Sequence, residues 1–333
     1  MLREIHEQPA ALERTLRGQR KGLAPSRPRL VVLAARGTSD NAAQFGRYLI
    51  ETTTGIPVSL AAPSVYTLYR AKLDLRDTLV VGISQSGEST DVNMVVESAK
   101  AQGARTVAVT NESGSTLASL AHDTLLVEAG AEKSVAATKT YTGQLLSMYA
   151  IAASLGALIG EETLAPIPDL AARALTVEDR VRELAIRFHY AERALVIGRG
   201  LNYANAFEMA LKLMETCYIV AERFSSADLL HGPIAMAERA FPAFLFAPSG
   251  ATWPSISETT AKLEARGAET FLITDESNPA APGTGIALPF AVEELLSPIP
   301  YIIPAQLLAA HLAAEKGLNP DAPRALSKVT RTV

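Results

Sequence analysis

The chain contains one cysteine, Cys217, in 333 residues. That excludes an intrachain disulfide and any zinc site built from several thiolates. Histidine is also scarce, and His6, His122, His189 and His311 show no metal-ligand spacing with the fifth, His231. No apolar run reaches the ~20 residues that a bilayer requires. The longest, Leu145–Ile159, carries Ser147 and Ser154, and is expected to be a buried helix. The N-terminal stretch MLREIHEQPAALERTLRG is charged throughout and lacks the apolar centre of an export signal. With a single cysteine, a cytoplasmic setting is expected. The net charge of −4 supplies no basic surface for nucleic acid or for an anionic membrane, so neither is expected as a partner.

The residues that are present point to a folded, two-domain chain. Apolar content of 48% against 20% charged residues predicts well-filled cores, and 333 residues suffice for two domains of ordinary size. The most informative stretch is Thr78–Asp91, TLVVGISQSGESTD. Thr78–Ile83 is a buried-strand pattern, and from Asp91 to Gln102 apolar residues recur at helical spacing (Val92, Val95, Val96, Ala99). Residues 84–90 therefore form a strand-to-helix turn. A helix start offers unpaired N–H groups and partial positive charge, which suit an anion. Ser84, Ser86, Ser89 and Thr90 add hydroxyls, Gln85 adds an amide, and Gly87 permits close backbone approach. Helix capping accounts for one hydroxyl at most. The turn contains neither Lys nor Arg, which favours a sugar phosphate over a magnesium–nucleotide complex.

Before this turn, residues 1–22 read as a helical lead-in, ended by Gly22 and the Pro25–Pro28 segment. Strands are expected at Leu30–Ala35, Pro57–Ala61, Thr78–Ile83, Arg105–Thr110 and Asp123–Val127. Helical segments between them imply a parallel sheet covered on both faces. Arg36-Gly37-Thr38-Ser39 follows the first strand, so two polar turns are expected at the carboxyl ends of the strands, where such sheets bind ligands. Next comes Ala131–Thr140, AEKSVAATKT, either a backbone surface for a ligand or a long loop with a threonine cap, leading to an apolar helix that ends near Gly160.

After a Pro-containing segment at Ala165–Pro168 and a charged helix to about Phe188, the pattern repeats. Arg199-Gly200 repeats Arg36-Gly37 at an offset of 163 residues, and Gly267–Ser277 repeats Gly103–Ser113 at 164. Pro242–Ala247 with Gly250 repeats the Thr78–Gly87 region at the offset of 163. Two tandem α/β domains of one ancestry are predicted. The second copy has Ala247-Pro248-Ser249-Gly250-Ala251-Thr252 at the anion turn, losing a hydroxyl, an amide and, at Pro248, a backbone N–H. Phosphate binding is therefore expected in the first copy.

Other candidates read less sharply from the residues alone. Glu208, Lys212 and Glu215 share a helix face opposite Phe207, Ala210, Leu213, Met214 and Cys217, the pattern of a solvated face with ion pairs. His231, after Phe224–Leu230, could be structural or catalytic, and Lys328 sits in what looks like a solvated tail.

Taken together these segments resemble the sugar isomerase (SIS) family: SQSGES at 84–89, the tandem repeat, SVAATK at 134–139, Glu208…Lys212…Glu215, His231-Gly232-Pro233 and Leu326-Ser327-Lys328. Within it they are similar to the isomerase half of glutamine–fructose-6-phosphate amidotransferases. Ala227-Asp228-Leu229-Leu230 stands where those amidotransferases, the glucosamine-6-phosphate synthases, usually have Gly-Glu-Leu-Lys; with Phe224-Ser225-Ser226, it looks more like stand-alone type II glucosamine-6-phosphate deaminases. Ala137 replaces a serine of the synthase motif, and Ser89 replaces its threonine. Leu2 stands at position 2 and the one cysteine, Cys217, is mid-helix, so glutamine hydrolysis by this chain is not expected.

The resemblance implies two five-stranded parallel sheets flanked by helices, in a flavodoxin- or Rossmann-like three-layer arrangement. The expected layout is a lead-in at 1–27, domains at 28–165 and 166–317, and a tail at 318–333. It implies phosphate contacts from Ser84, Gln85, Ser86 and Ser89, with Gly37, Thr38, Ser39 and the Val135 backbone near the sugar. Glu215 would move a proton between carbon 2 and carbon 1, Lys212 would stabilise the enolamine oxygen, and His231, donated by the partner in a homodimer, would assist ring opening. Lys328 would form a Schiff base or act on the ring oxygen. The implied reaction is glucosamine 6-phosphate plus water to fructose 6-phosphate plus ammonia, with no metal or organic cofactor. Alternatives of the same frame are an ammonia-using synthase, a deaminase or deglycase of another phosphosugar, and a non-catalytic sugar-phosphate sensor.

Overall fold

The computed structural model describes residues 1–19, 23, 27–278 and 285–328. Gly22 and Pro25, expected to end the lead-in, lie outside them, as do Val329 and Thr330 of the tail. The described chain forms two compact units, each built on one sheet. The first-copy unit comprises Ala10–Glu132, Lys139–Pro166 and the chain from Leu326 onward. The second-copy unit comprises Met1–Pro9, Lys133–Thr138 and Ile167–Ala325. The lead-in is two helices, Leu2–His6 and Gln8–Gln19. The break at Glu7 precedes Pro9, whose missing N–H is harmless only in a first turn.

In the first-copy unit, β1 (Leu30–Ala34), β2 (Val58–Leu60), β3 (Thr78–Ile83), β4 (Arg105–Thr110) and β5 (Asp123–Leu126) form one parallel sheet in the order β2-β1-β3-β4-β5. Alternate residues point to opposite faces. On one face Val32, Val80 and Ala108 pack with Val92, Val95, Val96 and Ala99 of the Thr90–Ala101 helix. Each of those three helix valines is fully buried, worth about 1.5–3 kcal/mol apiece. On the other face Leu33 lies against Gly46 and Met148, where Phe45 and Tyr149 meet edge to face at 5.2 Å. These belong to the Thr38–Thr54 and Lys139–Ser154 helices. The latter is buried as expected, but it stops at Ser154 and not near Gly160. Gly156 takes φ 101°, and Leu158 of the expected apolar helix is fully exposed.

The second-copy unit repeats the plan. Its strands β6 (Arg193–Gly198), β7 (Val220–Ser225), β8 (Pro242–Phe246), β9 (Glu269–Asp275) and β10 (Gly285–Leu288) run in the order β10-β9-β8-β6-β7, again all parallel. Counted within each copy, both sheets have the strand order 2-1-3-4-5. Such a sheet has its topological switch point between the first and third strands, where ligands bind. Phe188, Phe244 and Phe271 pack edge to face on one side, at 5.0–5.9 Å. Leu195, Ile197, Leu245 and Leu272 pack with Ile256 and Leu263 in a separate core cluster. No described helix is long and apolar enough to cross a membrane.

Candidate active site

The turns after β1 and β3 flank the switch point of the first copy. Ser84, 4% exposed, donates its N–H to the Val109 carbonyl of β4 at 3.0 Å, and its hydroxyl accepts the Gly87 N–H at 3.1 Å. Ser86 Oγ accepts the Glu88 N–H at 3.2 Å. The Gln85 carbonyl accepts Asn111 N–H at 3.1 Å, and the Gly87 carbonyl accepts Leu117 N–H at 3.0 Å. The turn is thus held by its backbone while the Gln85, Ser86 and Ser89 side chains stay half-exposed. Ser89 stands at the N-cap of the Thr90–Ala101 helix, yet its hydroxyl makes no capping bond. Its hydroxyl is not used up by the helix, as a simple capping residue's would be.

Charge is arranged around this turn. Arg36, from the turn after β1, bonds at 2.5 Å to Asp91, which is 2% exposed and also accepts the Val92 N–H. The sequence expectation of a turn without cations holds for residues 84–90, but the fold sets Arg36 beside their helix start. Burial raises the Asp40 carboxyl above its ordinary value, and Arg36 partly offsets this. Gly37 (φ 54°) turns the chain into the Thr38–Thr54 helix. Ser39 is buried, and its hydroxyl accepts from Gln144 Nε2 at 2.9 Å. The other amide atom, Gln144 Oε1, is buried with no hydrogen-bond partner among the described residues. Sequence reasoning placed Arg36 in a polar turn but missed its pairing with Asp91, and missed Gln144 altogether; their partners lie 55 and 105 residues away.

Lys328 does not end in solvent. Its Nζ lies 3.4 Å from Glu132 Oε2, with the lysine 26% exposed and the glutamate enclosed. Glu132 also accepts from Thr140 Oγ1 at 2.5 Å and Thr140 N at 3.2 Å. This corrects the solvated-tail reading for the one residue that matters. Val135, on the neighbouring segment, is half-buried and belongs to the second-copy unit.

In that unit, the Tyr203–Cys217 helix carries Glu208, Lys212 and Glu215. They are not a solvated face: Glu208 is 0% and Lys212 1% exposed. Lys212 Nζ lies 2.5 Å from Glu215 Oε2 and 3.5 Å from Glu208 Oε1, and Glu215 keeps 23% of its side chain exposed. Helical spacing shows that residues share a face but not what covers it. Two carboxylates around one ammonium allow that face to be enclosed. Met214, assigned to the covered side, is in fact 37% exposed. The helix ends at Tyr218 in the left-handed region (φ 55°), where Arg324 stacks 3.9 Å from the ring and donates its N–H to the phenol oxygen. His231 caps the short Ser226–Leu230 helix, is exposed, and its ring makes no hydrogen bond or ion pair among the described residues. A structural histidine would have partners. Among the described residues no cluster of three or more His, Cys, Asp or Glu is placed to hold a metal ion.

This is a tandem α/β protein with a hydroxyl-rich strand-to-helix turn in one copy and an enclosed lysine–carboxylate helix in the other. The SIS domain model matches residues 23–154 and 187–316, and the chain belongs to that family. It is 38% identical over 342 residues to the glutamine–fructose-6-phosphate aminotransferase (isomerizing) of Pyrococcus horikoshii, a match covering 98% of this chain and 57% of that protein. The chain thus spans little more than half the length of such relatives. Its structure is similar to the C-terminal domain of glucosamine-fructose-6-phosphate aminotransferase from Francisella tularensis, with a TM-score of 0.88, 29% identity and 97% coverage of both chains. It also shares the fold of a glucosamine-6-phosphate deaminase from Thermotoga maritima, at a TM-score of 0.83, 22% identity and 99% coverage of both.

Proposed function

We propose that the chain is an enzyme of amino-sugar phosphates, an isomerising glucosamine-6-phosphate deaminase. The observation that carries this reading is the Glu208–Lys212–Glu215 arrangement. An enclosed ammonium touches two carboxylates, of which Glu215 retains the larger exposure and can reach a substrate. Proton transfer between adjacent carbons suits one carboxylate that first accepts and then returns the proton.

Ser84, Gln85, Ser86 and Ser89 hold the phosphate, with Gly37, Thr38, Ser39 and the Val135 backbone serving the sugar. Binding energy from the phosphate, remote from the reacting carbons, is available for positioning them. His231 protonates the ring oxygen as the pyranose opens. Its exposure and unengaged ring support donation to a second copy of the chain in a homodimer. Glu215 removes the proton from carbon 2 of the open aldehyde and delivers it to carbon 1, converting the amino aldose into a fructose imine. The Lys212 ammonium stabilises negative charge developing on the oxygen of carbon 1. Water then adds at carbon 2 and ammonia leaves, giving fructose 6-phosphate. Lys328 acts at that carbon through a Schiff base or at the ring oxygen.

A second reading, synthesis of glucosamine 6-phosphate from fructose 6-phosphate and ammonia, is favoured by the 38% identity to a protein named as an aminotransferase. The test supplies purified protein with glucosamine 6-phosphate, galactosamine 6-phosphate, or fructose 6-phosphate plus ammonium, and follows ammonia and ketose. Ammonia release from the first supports the deaminase. Turnover confined to the third supports the synthase, and binding without turnover of any reduces the chain to a sensor. Glu215→Gln is expected to retain phosphosugar binding and to lose exchange of the carbon 2 proton with solvent. Retained exchange removes Glu215 from its role.

A further inference from the structure

The second copy has a switch point of its own, between β6 and β8, and an anionic group already sits in it. Glu294, in the loop after β10, accepts from Thr252 Oγ1 at 2.5 Å and from the Thr252 N–H at 3.4 Å. Thr252 is the N-cap residue of the Trp253–Glu264 helix, so the carboxylate lies against that helix start. Gly250, the counterpart of Gly87, has φ 137°, and a Cβ there would stand 2.5 Å from Glu294 Oε2. The glycine thus makes room for the carboxylate.

The loop is fastened from the other side of the same switch point. Ser297 Oγ donates to the Glu294 carbonyl at 2.9 Å and accepts from Asn202 Nδ2 at 2.7 Å. Asn202 is fully buried in the turn after β6. In the first copy the residue equally far beyond the last strand is Glu132: β5 ends at Leu126 and β10 at Leu288, so each glutamate lies six residues on. Glu132 is held by Thr140 and Lys328. The second copy offers Glu294 a threonine on the anion turn itself.

We propose that Glu294 is an internal carboxylate that occupies the second copy's anion cradle in place of a phosphate, and that this plug restricts the chain to one phosphate site. The inference rests on the reading of Ser84–Ser89 as the phosphate turn. The ligand class excluded is inorganic phosphate or a phosphate monoester, which would bring a second anionic group against Glu294. Loss of donors at Ala247 and Pro248 weakens the cradle, while the plug fills it.

The test is thermal melting of the full chain with inorganic phosphate, against chloride at equal ionic strength. Wild type is expected to be stabilised by phosphate, and Ser84→Ala/Ser86→Ala to lose that response. Adding Glu294→Ser or Glu294→Ala to that double variant is expected to restore a rise of about 2–4 °C at saturating phosphate. A triple variant that melts cooperatively and ignores phosphate overturns the proposal. If the Glu294 variants lose their cooperative transition, phosphate must bring it back by replacing the missing carboxylate. Failure to do so overturns the proposal equally. Absence of a response in wild type alone refutes the reading of the first turn, and the triple variant still decides the role of Glu294.

Discussion

Lys212 and Glu215 meet at 2.5 Å on a helix face where the lysine is 1% exposed and the glutamate 23%. Glu208, fully enclosed, is the lysine's other carboxylate, at 3.5 Å. Removing one member of a buried pair leaves an uncompensated charge, which costs more than the pair contributes. Lys212→Met keeps the length of the side chain and deletes its charge. It is expected to destabilise the chain by about 3–5 kcal/mol at pH 7 in urea unfolding. A loss below about 1 kcal/mol at pH 7 would mean that the ammonium does not neutralise this face.

Gly87 has φ 67°, and a Cβ there would fall 2.2 Å from Ser115 Oγ and 2.4 Å from Ser115 Cβ. Ser115 cannot easily withdraw, because its hydroxyl caps the Thr116–Leu120 helix through the Ala118 N–H. Gly87→Ala therefore strains the backbone, at a cost of about 1–3 kcal/mol, and displaces the turn. Phosphosugar affinity, measured calorimetrically, is expected to fall at least about tenfold, the equivalent of a lost charge-assisted hydrogen bond. Gly103→Ala is the control, with φ 85° but open space around the added carbon. It should lose stability while keeping affinity.

These two sites mark how far the sequence could be read. Gly87 was legible because a strand, a hydroxyl-rich turn and a helix follow one another within about fourteen residues. The parallel sheet followed from the alternation of strands and helices, and the second copy from the repeat of Gly103–Ser113 at Gly267–Ser277; the strand order came only with the fold. The environment of Lys212 was not legible, since i, i+4 and i+7 spacing is identical for a solvated and an enclosed face. Gln144 and Ser39, or Glu132 and Lys328, are brought together only by the fold, across 105 and 196 residues. Polar pairs this distant leave no periodic signal, unlike the apolar stripes of the core. The strand β7 was also missed: its exposed Val220 and charged Glu222 and Arg223 obscure the apolar run expected of a covered strand.

Glu178 receives His311 Nε2 at 2.9 Å on one oxygen and His6 Nε2 at 2.7 Å on the other. Burial alone would raise its carboxyl; the hydrogen bonds from His311 and His6 outweigh burial and lower it. A depressed carboxyl contributes stability above its unfolded value of 4.5, and that contribution is lost as pH falls through the lower folded value. Glu178→Gln should therefore be less stable than wild type at pH 7, with the gap closing as acid protonates the wild-type carboxylate. Urea midpoints taken from pH 7 down to pH 3 check this. A gap that is constant across the range would assign the effect to packing and not to charge.

Lys328 Nζ lies 3.4 Å from Glu132 Oε2 and is 26% exposed, so the lysine is held in place and still accessible. Nucleophilic attack requires that the ammonium first lose a proton. If Lys328 forms a Schiff base at carbon 2, borohydride added during turnover of glucosamine 6-phosphate should fix the sugar to Lys328, detected by peptide mass. Lys328→Met should then abolish the adduct and ammonia release while retaining exchange of the carbon 2 proton. If Lys328 acts on the ring oxygen instead, no adduct forms in wild type. The variant then loses exchange with the cyclic substrate, because the aldehyde that Glu215 deprotonates arises only from the opened ring. The two roles thus separate on one variant, with Glu132→Gln expected to weaken either one by releasing the lysine from its partner.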